Sequence, residues 1–475
     1  MQQRFIPDSQ SAPMPTECSA DLFGFPAVEG RDVVAAFDGG SITSDAGALL
    51  LRETDRAIGL VSRFAACFHD ARRQHLIEHQ VATLVGQRVV GIALGYEDLI
   101  DHDQLRHDPM MAVVAGKLEA RREDCAPVAG KSTLNRLERS VLQPTRYHKI
   151  SHNPVAIRNL FVDLFLEAHE RAPGQITIDL DATDDPVHGE QEGRFFHGYY
   201  DCYCYLPLYV FCGDQLLWAQ LRKADIDASD GALQVLQRLV KLIRHKWPLA
   251  NILMRADSGF CREAIMSWCE ANGVKFLFGL AKNKRLLKRI THTMKKAKRD
   301  WACSGRAARR YIQLSYRTRS SWSCPRRVVA KAEYMEKGPN PRFVVTNLTS
   351  WEYEPSQLYE KLYCARGEME NRIKEQQLYL FADRTSSATM KANQLRLWFS
   401  SLAYVILNEL RSVGLRRTRM AEATCQSIRL KLLKIGAHVR VSVRRVVFSM
   451  ASGYPDQDLF RSVLDNLQRA YHLNC

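Results

Sequence analysis

Apolar residues recur at helical spacing through the first third of the chain. In "SDAGALLLRETDRAIGL", Leu49, Leu50 and Leu51 begin an apolar face behind Ser44 or Asp45, either of which can cap a helix. "HLIEHQVATLVGQRVVGIALGYEDLIDHDQLRHDP" keeps that character and ends at Pro109, and "KSTLNRLERSV" predicts a short helix capped by Ser132. "NPVAIRNLFVDLFLEAHERAPG" predicts an amphipathic helix closed by Pro173-Gly174. Residues 31–172 are therefore expected to be a mostly helical region, after a Pro/Ser-rich loose tail at 1–30.

After residue 172 the pattern changes. "ITIDLDATD" alternates and is β-branched, and "YCYLPLYVFCGDQLLWAQLRKA" predicts two strands around Cys212-Gly213-Asp214. A helix ("GALQVLQRLVKLIRHKW"), a strand ("ANILMRADSGF"), a helix stopped by Gly273 ("REAIMSWCEANG") and a strand ("VKFLFGLA") follow. That order predicts an α/β layered core beginning at 173–281. Residues 282–342 interrupt it, with alternation late in the segment that predicts a small β-meander. The core resumes at 343–415 with "PRFVVTNLTS", a helix through "KLYCARGEMENRIKEQQ" and a buried helix, "QLRLWFSSLAYVILNELR". Residues 416–475 form a basic C-terminal region.

Charge sharpens the picture. The chain has 475 residues, and 67 Lys+Arg against 52 Asp+Glu give a formal charge of +15, an excess that favours a polyanionic partner such as nucleic acid. Residues 282–331 alone carry 17 Lys/Arg and one acid, Asp300, with Trp301, Tyr311, Tyr316 and Trp322 interleaved. The 13 cysteines include no CxxC pair, so zinc-ribbon spacing is absent; Cys202 and Cys204 read as strand residues. Cysteine usage is that of a reduced compartment. No secretory leader or membrane-spanning run is expected, and the expected location is the cytoplasm.

Three carboxylates fall on different elements. Asp181 closes the first core strand, Asp257 closes a later apolar strand, and Glu370 lies on the helix after the interruption. Sites in open α/β sheets gather at the carboxyl ends of strands. On a regular helix Tyr363, Arg366, Glu370, Lys374 and Gln377 share one face, whereas Glu368 points away. Each acid has an ordinary alternative: Asp181 can merely cap the next element or end a strand, Asp257-Ser258-Gly259 can be a plain turn, and Arg366–Glu370 a surface ion pair. Together the three suit Mg²⁺, which takes oxygen ligands and usually one or two carboxylates per ion. Two ions with three carboxylates can promote in-line attack on a phosphodiester. Arg366 could then hold a phosphate, and Tyr363 donate to one or stack on a base.

"DAT" at 181–183, "ADSGF" at 256–260 and Tyr363-x-x-Arg366-x-x-x-Glu370 resemble a DDE-type insertion-sequence transposase of the subgroup with a Tyr–Arg–Glu–Lys signature. "DGGSITSDAGALLLRE" and "YYDCYCYLPLYVFCGD" are similar to one branch of these enzymes. The resemblance implies an RNase H-like core (a mixed sheet with flanking helices) split by a β-rich insertion, with Asp181, Asp257 and Glu370 as catalytic metal ligands. It implies two Mg²⁺, with Mn²⁺ as a substitute, and cut-and-paste transposition in a bacterial cell. The signature Lys falls at Gln377, and Lys374 is the expected replacement. Asp179 is a candidate supporting acid, while Asp184 and Asp185 read as turn residues.

The expected partners are terminal inverted repeats and target DNA, with a homodimer joining two ends. Arg309, Arg310, Arg326 and Arg327 are the expected phosphate contacts, and Trp301 and Trp322 the expected stacking residues. A solvated basic face is the alternative for that segment. Arg429, Lys431, Lys434, Arg440, Arg444 and Arg445 are further candidates in the C-terminal region. A metal-dependent nuclease without strand transfer, and a non-catalytic DNA-binding descendant, share the same features.

Overall fold

The computed structural model describes residues 22–473. The tail expected over 1–30 lies outside the described residues up to 21; from Phe23 the chain forms an exposed hairpin, Phe23–Val28 with Arg31–Ala35.

A nine-stranded mixed sheet is the centre of the molecule. Its order is Gln215–Gln220, Leu208–Cys212, Ile176–Ala182, Ile252–Ala256, Lys275–Leu280, Arg342–Thr346, Arg326–Met335 and Ala308–Tyr316, with Gly338–Pro339 paired off Arg326–Met335. Ile176–Ala182, Ile252–Ala256 and Lys275–Leu280 run parallel, and the other pairings are antiparallel. The parallel strands need crossovers, supplied by the helices Ala232–Lys246 and Glu263–Ala271.

Strand alternation assigns the two faces. Ile178, Leu180, Met254 and Ala256 pack under those crossover helices with Leu236, Leu239 and Met266. The intervening positions, Asp179, Asp181, Arg255 and Asp257, therefore face the opposite side, where Leu253 and Leu277 meet Leu358 and Tyr359.

The segment 282–342 differs from the expected meander. Its first half is two helices, Lys284–Arg289 and Thr291–Ser304, since the Lys/Arg-rich run has good helix formers and Asn283 caps it by accepting from Leu286 N. Its long strands hydrogen-bond onto the central sheet rather than forming a separate unit.

The helical N-terminal region shares one apolar core with the C-terminal part. Leu50, Phe64, Leu84 and Val89 pack with Phe399, Leu402 and Leu407 of the buried helix Met390–Glu409, and with Leu432, Val463 and Leu467. The helix Ala48–Ile58 has no side-chain cap from Ser44 or Asp45; Ala46 N and Gly47 N donate to the carbonyls of Ile435 and Leu433 instead. Two other helix ends also differ from expectation. Pro109 begins a helix, with Asp108 accepting from Met110 N at 2.7 Å, because proline lacks the N–H that a first turn leaves unused. Gly130, not Ser132, precedes Lys131–Glu138. No helix among the described residues is long and apolar enough to cross a membrane.

Candidate active site

Sheet register places two of the three acids. Leu180 pairs with Ala256 in the parallel ladder, so Asp181 and Asp257 are the next neighbours beyond it, on adjacent strands and on the same face. Adjacent strands lie about 4.8 Å apart. Below them Asp179 accepts from Arg255 Nε and Nη2, both at 2.7 Å, and Arg255 Nη1 donates to Leu362 O at 2.6 Å. This buried pair anchors the chain leading to Glu370, so the role of Asp179 is to hold Arg255.

The Glu370 segment is not one regular helix. Leu358–Tyr363 is a π-helical turn, Cys364–Arg366 a 3₁₀ turn, and the α-helix runs Gly367–Leu380. The single face expected from regular geometry is therefore divided. Arg366, Glu370, Lys374 and Gln377 line a cavity of about 520 Å³ together with Asp181 and Asp257. Tyr363 instead borders a neighbouring cavity with Ser258, Gly279 and Arg342, which Asp257 also lines. Gly279 is required there: a Cβ would stand 2.7 Å from Tyr363 Oη and 2.8 Å from Ser258 N.

Arg366 links the acids. Its Nη2 donates to Glu370 Oε1 at 2.7 Å and its Nη1 to Asp181 Oδ2 at 3.3 Å. Burial pushes the Asp181 carboxyl up to about 7; Arg366 opposes the rise, while the charges of Asp257 and Glu370 add to it. Asp257 Oδ1 accepts from Gly259 N at 2.8 Å, which fixes its turn. Among the described residues no group of three or more His, Cys, Asp or Glu is disposed to hold a metal ion. The Arg366 guanidinium supplies positive charge to Asp181 and Glu370. Asp181, Asp257 and Glu370 offer an all-oxygen donor set, the ligand chemistry that a hard divalent cation takes.

A family description, Transposase DDE domain group 1, matches residues 25–472. The chain belongs to this transposase family. Divalent-metal dependence is general in it. Among curated proteins none matches the chain. Among solved structures, the cryo-EM structure of a piggyBac transposase synaptic complex with hairpin DNA aligns over 91% of this chain and 84% of that one. Identity is 10% and the TM-score 0.39, a likeness too distant to bear on the site.

Several residues of the transposase stand apart from the cavity. Arg326 is buried and bonded to Glu263 and Glu270, so it ties the sheet to the helix Glu263–Ala271 instead of facing DNA. Trp322 is buried against Tyr316, and Arg326 lies over its ring. Arg327 spends its guanidinium on the carbonyls of Leu348, Thr349 and Tyr353. Arg309 pairs with Glu333 and Arg310 with Asp300, both half-exposed. Trp301 packs against Tyr334 at 5.1 Å. In the C-terminal region Arg429 donates to Ile92, Ala93 and Tyr379 carbonyls, and Lys434 pairs with Asp45 at 2.7 Å. Lys431, Arg440, Arg444 and Arg445 are exposed.

Gln377, at the position of the signature Lys, is engaged in the structure. Its Nε2 donates to Asp184 O at 3.0 Å and Asp185 Oδ1 at 3.1 Å. Asp185, expected in a turn, is fully buried in the short strand Asp185–Pro186, and burial drives its carboxyl well above the ordinary range. That strand belongs to a small sheet with Phe195–His197 and Cys202–Tyr205, whose turn brings His197, Tyr199 and Tyr200 to the cavity. Sequence reasoning missed this turn; the run of aromatics from Phe195 to Tyr205 was its only trace.

Proposed function

We propose that the chain is an insertion-sequence transposase of cut-and-paste type, in which Asp181, Asp257 and Glu370 form one metal-dependent site for cutting and joining DNA. The observation that carries this reading is the cavity shared by these three acids with Arg366 and Lys374. An RNase H-like core is supported by the strand order: three antiparallel strands whose first member continues into two parallel ones.

The three carboxylates would hold the divalent ions, two Mg²⁺ in this reading, which when bound activate an oxygen nucleophile and stabilise the leaving oxygen. Asp181 must give up its proton for that, and Arg366 must exchange a carboxylate for a phosphate oxygen. Its planar fork suits either partner. Lys374, exposed at the rim, adds positive charge for the DNA backbone. Arg255 holds the chain leading to the Glu370 helix at Leu362 O, and Gln377 ties the helix to Asp184 and Asp185.

The regional roles follow from this reading. Residues 31–172 would read the terminal inverted repeats, and two copies of the chain would bring two ends together. The core would comprise 173–281 and 343–415, with 282–342 and 416–475 adding basic surface.

The test uses a plasmid carrying the coding region with its natural flanks, the full chain and Mg²⁺. Excision together with insertion of a pre-cut end into a second plasmid is expected. Cutting without joining would identify a nuclease instead, and excision unchanged in Asp181→Asn would overturn the assignment.

A further inference from the structure

The turn between Phe195–His197 and Cys202–Tyr205 hangs over the carboxylate cavity. Tyr200 N and Asp201 N both donate to His197 O, at 3.1 and 2.9 Å, so the turn is internally fixed. Tyr200 packs against His197 with ring centroids 4.9 Å apart and the ring planes tilted by 44°, and burial, then the charges of Asp184 and Asp181, push its hydroxyl up to about 12. Tyr199 meets Tyr200 edge-on at 5.0 Å, yet remains 84% exposed. The Nδ1 of His197 is buried and has no hydrogen-bond partner among the described residues.

This construction is costly for a soluble surface. A tyrosine that exposed gains no burial, and its neighbours Phe195, Phe196 and Tyr203 are also about half-exposed. The strand Asp185–Pro186 ties the turn to the Glu370 helix through Gln377. Aromatic faces beside a cationic rim that tracks phosphates are what an unpaired nucleobase requires. A paired base offers no face, because stacking within the duplex covers both sides. The expected stacking residue Trp322 is buried, and so is Phe260, which also lines the cavity; Tyr199 of this turn is the exposed ring there.

We propose that Tyr199, braced edge-on by Tyr200 against His197, is a stacking platform for an unpaired base of the DNA strand lying across Asp181, Asp257 and Glu370. The proposal rests on the transposase reading of that cavity. It makes Tyr199 a positioning residue, acting on the strand rather than on the reacting phosphate.

The test uses the full chain with single-stranded oligothymidylate carrying one 2-aminopurine, and Tyr199→Ala and Tyr199→Phe variants. Binding of the unmodified protein should quench the probe. Tyr199→Ala should lose the quenching and weaken binding about 10-fold, within the range of one aromatic–base stack, whereas Tyr199→Phe should keep both. Tyr199 is exposed, so neither change threatens folding. Equal quenching by Tyr199→Ala, or none by the unmodified protein, overturns the proposal. Mg²⁺-dependent nicking of supercoiled plasmid by the same preparation reports separately on the transposase reading.

Discussion

Asp181 answers two opposed demands. In the proposed site it would have to be ionised to hold a cation, yet it sits where burial and two neighbouring carboxylates favour its neutral form. Its folded pKa of about 7 lies above its unfolded value, so in the metal-free protein the ionised side chain costs stability. That cost is absent below the unfolded pKa, grows as the pH rises from about 4 to 7, and is constant above. Asp181→Asn in EDTA should therefore raise the melting temperature at pH 8, and the difference should shrink towards pH 4. A lower melting temperature at pH 8 would show that ion pairing with Arg366 outweighs the desolvation. The positions of Asp181, Asp257 and Glu370 were legible in the sequence because strand ends and helix spacing are local. The burial of Arg326 was not, since it depends on Glu270 and Glu263 of a helix 56 and 63 residues away in the chain, and Trp322 in turn packs under Arg326 and against Tyr316.

Elements set how precisely those residues meet. The change from π to 3₁₀ to α geometry across Leu358–Leu380 was invisible in a sequence of ordinary helix formers. Its cause is tertiary: Leu358 and Tyr359 are buried against Leu253 and Leu277, and Arg255 holds Leu362 O. Gly279 lies where the Asp257 turn and Tyr363 converge, and Gly279→Ala puts a methyl against backbone at 2.8 Å. The turn must move. Stability should fall by about 1–3 kcal/mol, typical of overpacking, and DNA cutting by about 100-fold, typical of misplacement by an ångström. Thermal melts and a nicking rate check both. Wild-type cutting would mean that the turn position is unimportant to the chemistry.

At the scale of the molecule, one sheet runs from the carboxylates to the basic edge. Arg326 couples that edge to the crossover helix, and its bonds lower the Glu263 pKa to about 2. A depressed carboxylate adds stability above its unfolded pKa and loses it as the pH falls towards the folded one. Arg326→Met should cost about 3 kcal/mol at pH 7 by leaving two carboxylates without their partner. The difference should narrow between about pH 4.5 and 2, as urea unfolding across that range would show. An undiminished gap at low pH would point to packing on Trp322 as the larger contribution. The sequence displayed the α/β order and the charge of this region, but not that its strands continue the central sheet, because strand partners far apart in the chain carry no local signal.

The central claim is that three acids act as one metal-dependent site. The most direct measurement compares Mg²⁺-dependent cutting by Asp181→Asn, Asp257→Asn and Glu370→Gln, each assayed beside DNA binding and melting temperature. Each substitution should abolish cutting while leaving the protein folded and bound to DNA. Cutting near the unmodified rate by any one of them would contradict the account.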